Sequence, residues 1–205
     1  MPRPHNEKQR KNKIGKIVDG AHRVFCRKGF LAVTMQDIID ECNISRGGIY
    51  IYFSSVDEVF LEVMKQRNKE RLSAISKSVQ DKKPFEEVLE IYLARQKQRL
   101  MNFENSIFRA YCEYIFSKPK AAVEALRDMQ LGHLRQSITS VLELGISQRA
   151  IFDVDVDSIA YHFIVVIDGL SVLALAEALT EEIVDAQIAI IKKTVDSLRE
   201  DAKNA

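Results

Sequence analysis

A chain of 205 residues has room for one large domain or two small ones. Its 46% hydrophobic and 29% charged content, with only 8 Gly and 4 Pro, excludes a disordered or collagen-like chain and predicts a buried core. The formal net charge of +1 hides a division: residues 1–53 hold ten Lys and Arg against five acids, which is +5, and residues 54–205 carry −4. A basic head on an acidic body suits an anionic partner, a polyanion being the commonest. Charge alone fits a solvated basic tail equally well. Cys26, Cys42 and Cys112 are too widely spaced for a zinc ribbon and odd in number, which predicts free thiols in a reducing compartment. Residues 1–13 lack the apolar run of a secretory signal, so a cytoplasmic location is expected.

In chain order, Ile14, Ile17, Val18, Ala21, Val24 and Phe25 recur at helical spacing and predict a helix over 11–28, ended by Gly29. Thr34 is placed to cap a short helix over 35–42, with Asn43 as its left-handed stop. Ser45 caps a second short helix over 46–53, and the pair reads as a helix-turn-helix. Ile44, Ile49 and Phe53 point inward in this reading, leaving Ser45, Arg46, Gly47, Gly48, Tyr50, Ile51 and Tyr52 outside or at the helix start. Two glycines inside a helix cost about 1 kcal/mol each. They are explained either by close approach to a phosphate backbone or by tight packing of the two short helices.

The run Gly29-Phe30, Thr34-Met-Gln-Asp-Ile and Ile44-Ser-Arg-Gly-Gly-Ile-Tyr-Ile-Tyr-Phe-Ser-Ser-Val-Asp-Glu-Val-Phe60 resembles the DNA-binding head of tetracycline-repressor-like (TetR family) regulators. The resemblance covers about the first quarter of the chain. It implies that Thr34 and Ser45 bind phosphates, that Arg46, Gly47 and Gly48 face the major groove, and that Tyr50 and Tyr52 brace the backbone. Val56 stands where the family usually has a phosphate-binding Lys, and Asn43 replaces the usual Gly. The basic run Lys8 to Lys16, including Lys11, would supply the missing phosphate anchor.

In the body, Ser54 or Ser55 caps a helix opening at Asp57-Glu58, and its polar continuation suits a connection between two lobes. Further helices are predicted over 84–103, 106–116, 121–144, 155–178 and 181–199, with no strand pattern. The expected class is all-α: a three-helix head over 1–55 and a helical-bundle body over 56–205. Residues 159–176 are apolar enough to resemble a membrane span, but Asp168 at the centre favours a buried helix, and no membrane partner is expected. Wide apolar stripes on the last two helices, Phe163, Val166, Leu170 and Leu173 on one face, His162, Gly169 and Ala176 on another, then Val184, Ile188, Ile191, Val195 and Leu198, predict a four-helix homodimer interface that buries both stripes, with close helix approach expected at Gly169. A dimer of readers requires a palindromic double-stranded DNA operator.

Ten of the sixteen aromatic residues fall between Phe85 and Phe163. Tyr92, Gln96, Phe108, Tyr111, Cys112, Glu113, Tyr161, Val165 and Asp168 are the candidate lining of a small-molecule site, although core packing or an Arg109–Glu113 pair would account for any one of them. Glu113 and Asp168 among aromatic and apolar neighbours favour a lipophilic cation as inducer; an Asp168–His162 contact with a neutral or acidic lipid as ligand remains open. Cys112, Glu113 and His133 are too weak a constellation for catalysis, and neither a cofactor nor a metal is expected. The reading is a ligand-responsive repressor; the alternative is an all-α carrier without DNA binding.

Overall fold

The computed structural model describes residues 4–103, 106–152 and 155–200. The helices are α1 (Pro4–Lys28), α2 (Met35–Cys42), α3 (Arg46–Tyr50), α4 (Val56–Gln80), α5 (Phe85–Met101), α6 (Phe108–Ser117), α7 (Lys120–Ser147), α8 (Val156–Leu175) and α9 (Glu181–Glu200). No strand occurs among the described residues, and the class is all-α. The expected boundaries hold to within a few residues except in two places. α1 begins seven residues earlier than expected, and Glu7-Lys-Gln-Arg-Lys11 in that polar run are good helix formers that extend an existing helix cheaply. α3 stops at Tyr50, three residues short of the expected end.

The chain packs as two compact units, Met1–Lys69 with Glu104–Leu126, and Glu70–Phe103 with Arg127–Ala205. This division by packing differs from the expected division by function at residue 55, because α6 is a late segment that belongs to the first unit. Its reason is aromatic. Tyr114 on α6 meets Phe30 edge-on at 4.9 Å and Phe60 at 5.0 Å, and Phe60 in turn meets Phe25 at 5.0 Å. Lys118 sits 5.2 Å over the Phe30 ring and pairs with Asp57 of α4 at 2.5 Å. Each ring pair adds about 0.5–1.5 kcal/mol beyond its buried area.

The second unit is built on Phe85, Val88, Leu89, Tyr92 and Leu93 of α5, Ile138, Val141 and Leu142 of α7, Ala160, Phe163, Ile164 and Ile167 of α8, and Ile191 and Val195 of α9. Surface ion pairs lace α5 to α9: Lys97 with Asp185 at 2.6 Å and Glu181 at 2.9 Å, Lys192 with Glu90 at 2.6 Å, and Arg199 with Glu86 at 3.2 Å. Asp155 caps α8 by accepting from the Ser158 N–H at 3.1 Å.

This packing corrects the stripe expected at a dimer interface. Phe163, Leu170, Val184, Ile191 and Val195 are buried in the chain's own core. The exposed face of α8 is the other one, Tyr161, His162, Val165, Gly169, Val172 and Ala176, where Val165 is 68% exposed and a Cβ on Gly169 would meet nothing within 4 Å.

Candidate nucleic-acid interface

The helix-turn-helix is assembled by three local devices. Thr34 forms a full capping box: its Oγ1 accepts from the Asp37 N–H at 3.2 Å while the Asp37 carboxylate accepts from the Thr34 N–H at 2.9 Å. Lys28 donates to the same carboxylate at 2.6 Å and, with the Thr34 donors, lowers the Asp37 pKa to about 2. Asn43 takes the left-handed conformation (φ 48, ψ 51), and its N–H bonds back to the Asp40 carbonyl. Ser45 then starts α3, its Oγ accepting from the Gly48 N–H at 3.1 Å.

Ile49 and Phe53 are buried beneath α3, while Ser45, Arg46, Gly47, Tyr50 and Ile51 are exposed along it and Tyr52 is half-buried. Ile51 is 73% exposed. The two glycines have different reasons. A Cβ on Gly48 would press on Ile44 and Ser45 at 3.0 Å, so packing excludes it; a Cβ on Gly47 would meet nothing within 4 Å. No contact among the described residues requires Gly47.

The basic residues of the head also divide. Arg23 and Arg27 bind Glu41 at 2.7 and 2.8 Å, and Lys28 binds Asp37 at 2.6 Å. Arg46, Lys11, Lys13 and Lys16 make no ion pair among the described residues and are exposed. Arg3 lies outside the described residues. Val56 opens α4 half-buried, so the place of a cation there is taken by an apolar side chain. Ser55 Oγ accepts from the Glu58 N–H at 3.2 Å, and the Glu58 carboxylate accepts from the Ser54 N–H at 2.7 Å.

The residues expected to line a ligand site are divided between the two units. Phe108, Tyr111, Cys112 and Glu113 lie on α6 in the first unit, Tyr92, Gln96, Tyr161, Val165 and Asp168 in the second. Glu113 is not held in reserve for a cation. Its carboxylate accepts from the Phe30 N–H at 2.6 Å, the Leu31 N–H at 2.9 Å and Arg109 Nε at 2.9 Å. Burial opposes the charge, but these donors outweigh it and hold the pKa below the ordinary value. Gly29 makes the approach possible, since at φ 77 it carries no Cβ to collide with that carboxylate. Tyr161 and Val165 stand on the exposed face of α8, where the core has no use for them.

Asp168 is also corrected. His162 is not its partner; the charges acting on it are Arg99 and Arg71. Arg99 was not among the sequence candidates, although it lies seven residues after Tyr92 and three after Gln96 on one face of α5. A carboxylate already facing guanidinium groups is poorly placed to favour a cationic ligand, so the acid-in-apolar-helix argument loses its support.

Residues 17–63 match the family described as bacterial regulatory proteins, tetR family. Over 113 residues the chain is 32% identical to the uncharacterized HTH-type transcriptional regulator YfiR of Bacillus subtilis, covering 55% of each protein. Over 46 residues it is 41% identical to YerO of the same organism, covering 22% of this chain and 16% of that protein. The chain thus spans about half the length of one curated relative and less of the other. In fold it is similar to a TetR transcription regulator from Haloarcula marismortui, at a TM-score of 0.71 and 19% identity over 92% of this chain and 98% of that one. It is similar also to the fatty acid degradation regulator FadR from Bacillus halodurans, at a TM-score of 0.68 and 15% identity over 89% and 94%. The capped turn between α2 and α3 lies inside the segment that matches the tetR family of bacterial regulatory proteins.

Proposed function

We propose that the chain is a homodimeric, ligand-responsive regulator of transcription, cytoplasmic and without enzymatic activity, that represses by holding a palindromic DNA operator. The observation that carries this reading is the outer side of α3: an exposed Arg46 without a partner among the described residues, beside a glycine that no contact among them requires. In that reading Arg46 reads base edges and Gly47 and Gly48 let the helix seat deeply. Ser45, Thr34, Tyr50 and Tyr52 position it on the phosphates, with Lys11 adding a non-specific anchor. The free face of α8 around Gly169 supports dimerisation, which would set the two readers at a spacing of one helical turn or a multiple of it. A small apolar molecule bound in the body would favour a conformation whose readers no longer match the operator, with a coupling of about 1–3 kcal/mol.

The test is selection of bound fragments from genomic DNA by the purified chain. A recovered palindrome that outcompetes random duplex at physiological salt supports the reading. Equal binding to random duplex, or none, refutes it and leaves a small-molecule carrier.

A further inference from the structure

The ion pairs of the second unit described above are short and peripheral, and Arg99 and Asp168 do not follow that pattern. Arg99 Nη2 donates to Ser171 Oγ at 3.2 Å and Nε donates to Gln96 Oε1 at 3.3 Å. Both acceptors are neutral and both bonds are long, so two of five N–H donors are used weakly. Ser171 is fully buried and gives its own proton to the Ile167 carbonyl at 2.8 Å, which leaves its oxygen to Arg99 as an acceptor. Tyr92, 4% exposed, lies two turns before Arg99 on the same face. Buried Leu100 and Leu170 adjoin this cluster in sequence and pack with Val184.

Asp168, one turn before Ser171, has neither a hydrogen bond nor an ion pair within 4 Å among the described residues. The two groups nevertheless feel each other. Burial raises the Asp168 pKa against the pull of Arg99 and then Arg71, and burial lowers that of Arg99 against the pull of Asp168 and Tyr92. The charged groups acting on Asp168 are thus Arg99 from α5 and Arg71 from α4, with none from α9. A guanidinium and a carboxylate sit close enough to interact, in a site dry enough to penalise both, without closing into a pair.

We propose that Arg99 anchors the carboxylate of an apolar small molecule, and that Asp168 takes up one proton from solvent as this carboxylate enters beside it. The proposal rests on the reading of the chain as a ligand-responsive regulator and names the chemical class of its ligand. The guanidinium exchanges neutral acceptors for an ionised, planar one that can accept from two N–H groups, the stronger arrangement. Protonated Asp168 becomes a donor to the same headgroup, and Tyr92, which burial keeps neutral, is a second hydroxyl donor at the site. A cation would face Arg99, and a dianion would leave one charge unmatched next to Asp168. A monoanion with an apolar tail is the ligand this arrangement of charges favours.

The sign of the linkage follows. An anion beside Asp168 raises its pKa further, so the complex holds more protons than the free protein, and affinity rises as pH falls. The full chain is titrated by calorimetry with dodecanoate, dodecanol and dodecylamine, and with the naphthyl-acetic acid, alcohol and amine set, at pH 6, 7 and 8. The acid of at least one set should bind tightest, by about tenfold or more over its alcohol. That acid should tighten by up to about tenfold per pH unit lost. Arg99→Met should abolish the preference of acid over alcohol while alcohol binding persists, which shows that the site still folds; Arg99→Lys should retain part of the preference. Asp168→Asn should bind the acid at least as tightly as the parent and remove the pH dependence. Equal affinity across a set, preference for the amine, or weakened acid binding by Asp168→Asn would overturn the proposal while sparing the regulator reading. If no compound of either set binds, this ligand class is refuted, while DNA recognition, read by operator retention, stands separately.

Discussion

In the head, three helix starts are each capped by a partner three residues away: Thr34 with Asp37, Ser45 with Gly48, Ser55 with Glu58. In the body, Arg99 reaches Ser171 across 72 residues of sequence and Lys97 reaches Asp185 across 88. The difference teaches where a sequence can be read and where it cannot. A cap needs one side chain and one backbone N–H at fixed spacing, so the residue type nearly determines the geometry. Which face of an apolar helix turns inward depends on every other helix, and α8 is apolar on nearly all sides.

The sharpest way to break the comparison is to load the face of α8 that the core leaves free. A Cβ on Gly169 would meet nothing within 4 Å, so Gly169→Arg should leave the monomer's fold intact. In a dimer packed on that face it would bring a charge whose desolvation costs several kcal/mol and overpacking of roughly 1–3 kcal/mol. Light scattering should report monomer, with unchanged helical content by circular dichroism and loss of operator binding. A mutant that remains dimeric and still binds its operator removes this face from the interface.

The two stripes of α8 show what was legible. Period and composition predicted the helix to within a few residues, and they also predicted that it carries more apolar surface than one core needs. They did not say which face the chain's own core takes: Phe163 and Leu170, expected at an interface, are buried in that core, and Tyr161 and Val165, expected in a pocket, are exposed on the single chain. Both stripes are apolar, and only the positions of α5 and α9 distinguish them. Glu113 shows the same limit: its Arg109 neighbour at four residues was readable, whereas its bonds to Phe30 and Leu31, more than eighty residues away, were not.

A second prediction separates the two kinds of cation in the head. Arg46 has no carboxylate partner, so Arg46→Ala should cost about 1–3 kcal/mol at the preferred operator and relax the sequence preference there. Lys11→Ala should weaken all duplexes alike and lower the salt slope by about one. Fluorescence anisotropy over a salt series on operator and scrambled duplexes measures both. An Arg46→Ala protein that loses affinity equally on both duplexes would make Arg46 a phosphate contact.

A third compares the adjacent glycines. Gly47→Ala meets open space and should raise thermal stability by about 0.5–1 kcal/mol, since Ala is the better helix former, yet weaken operator binding. Gly48→Ala must push against Ile44 and Ser45, so the gain should vanish or reverse as the cap is disturbed. Chemical denaturation and anisotropy on both variants decide it. If Gly47→Ala binds operator as tightly as the parent, the glycine does not serve close approach.

The smallest effect lies in the capping box. The bonds from Lys28 and then Thr34 depress the Asp37 pKa to about 2. A depressed carboxyl contributes stability that is fully present above its unfolded pKa of about 3.9 and is lost as pH falls through the folded value. Asp37 is partly exposed, so solvent screening reduces the contribution to about 1 kcal/mol or less. Asp37→Asn keeps a side-chain acceptor for the Thr34 N–H but removes the titration. The parent should therefore lose more stability than the variant between about pH 4 and pH 2. Urea midpoints at those two pH values provide the measurement, and parallel losses in the two proteins would mean that the box is held by its geometry rather than by the charge of Asp37.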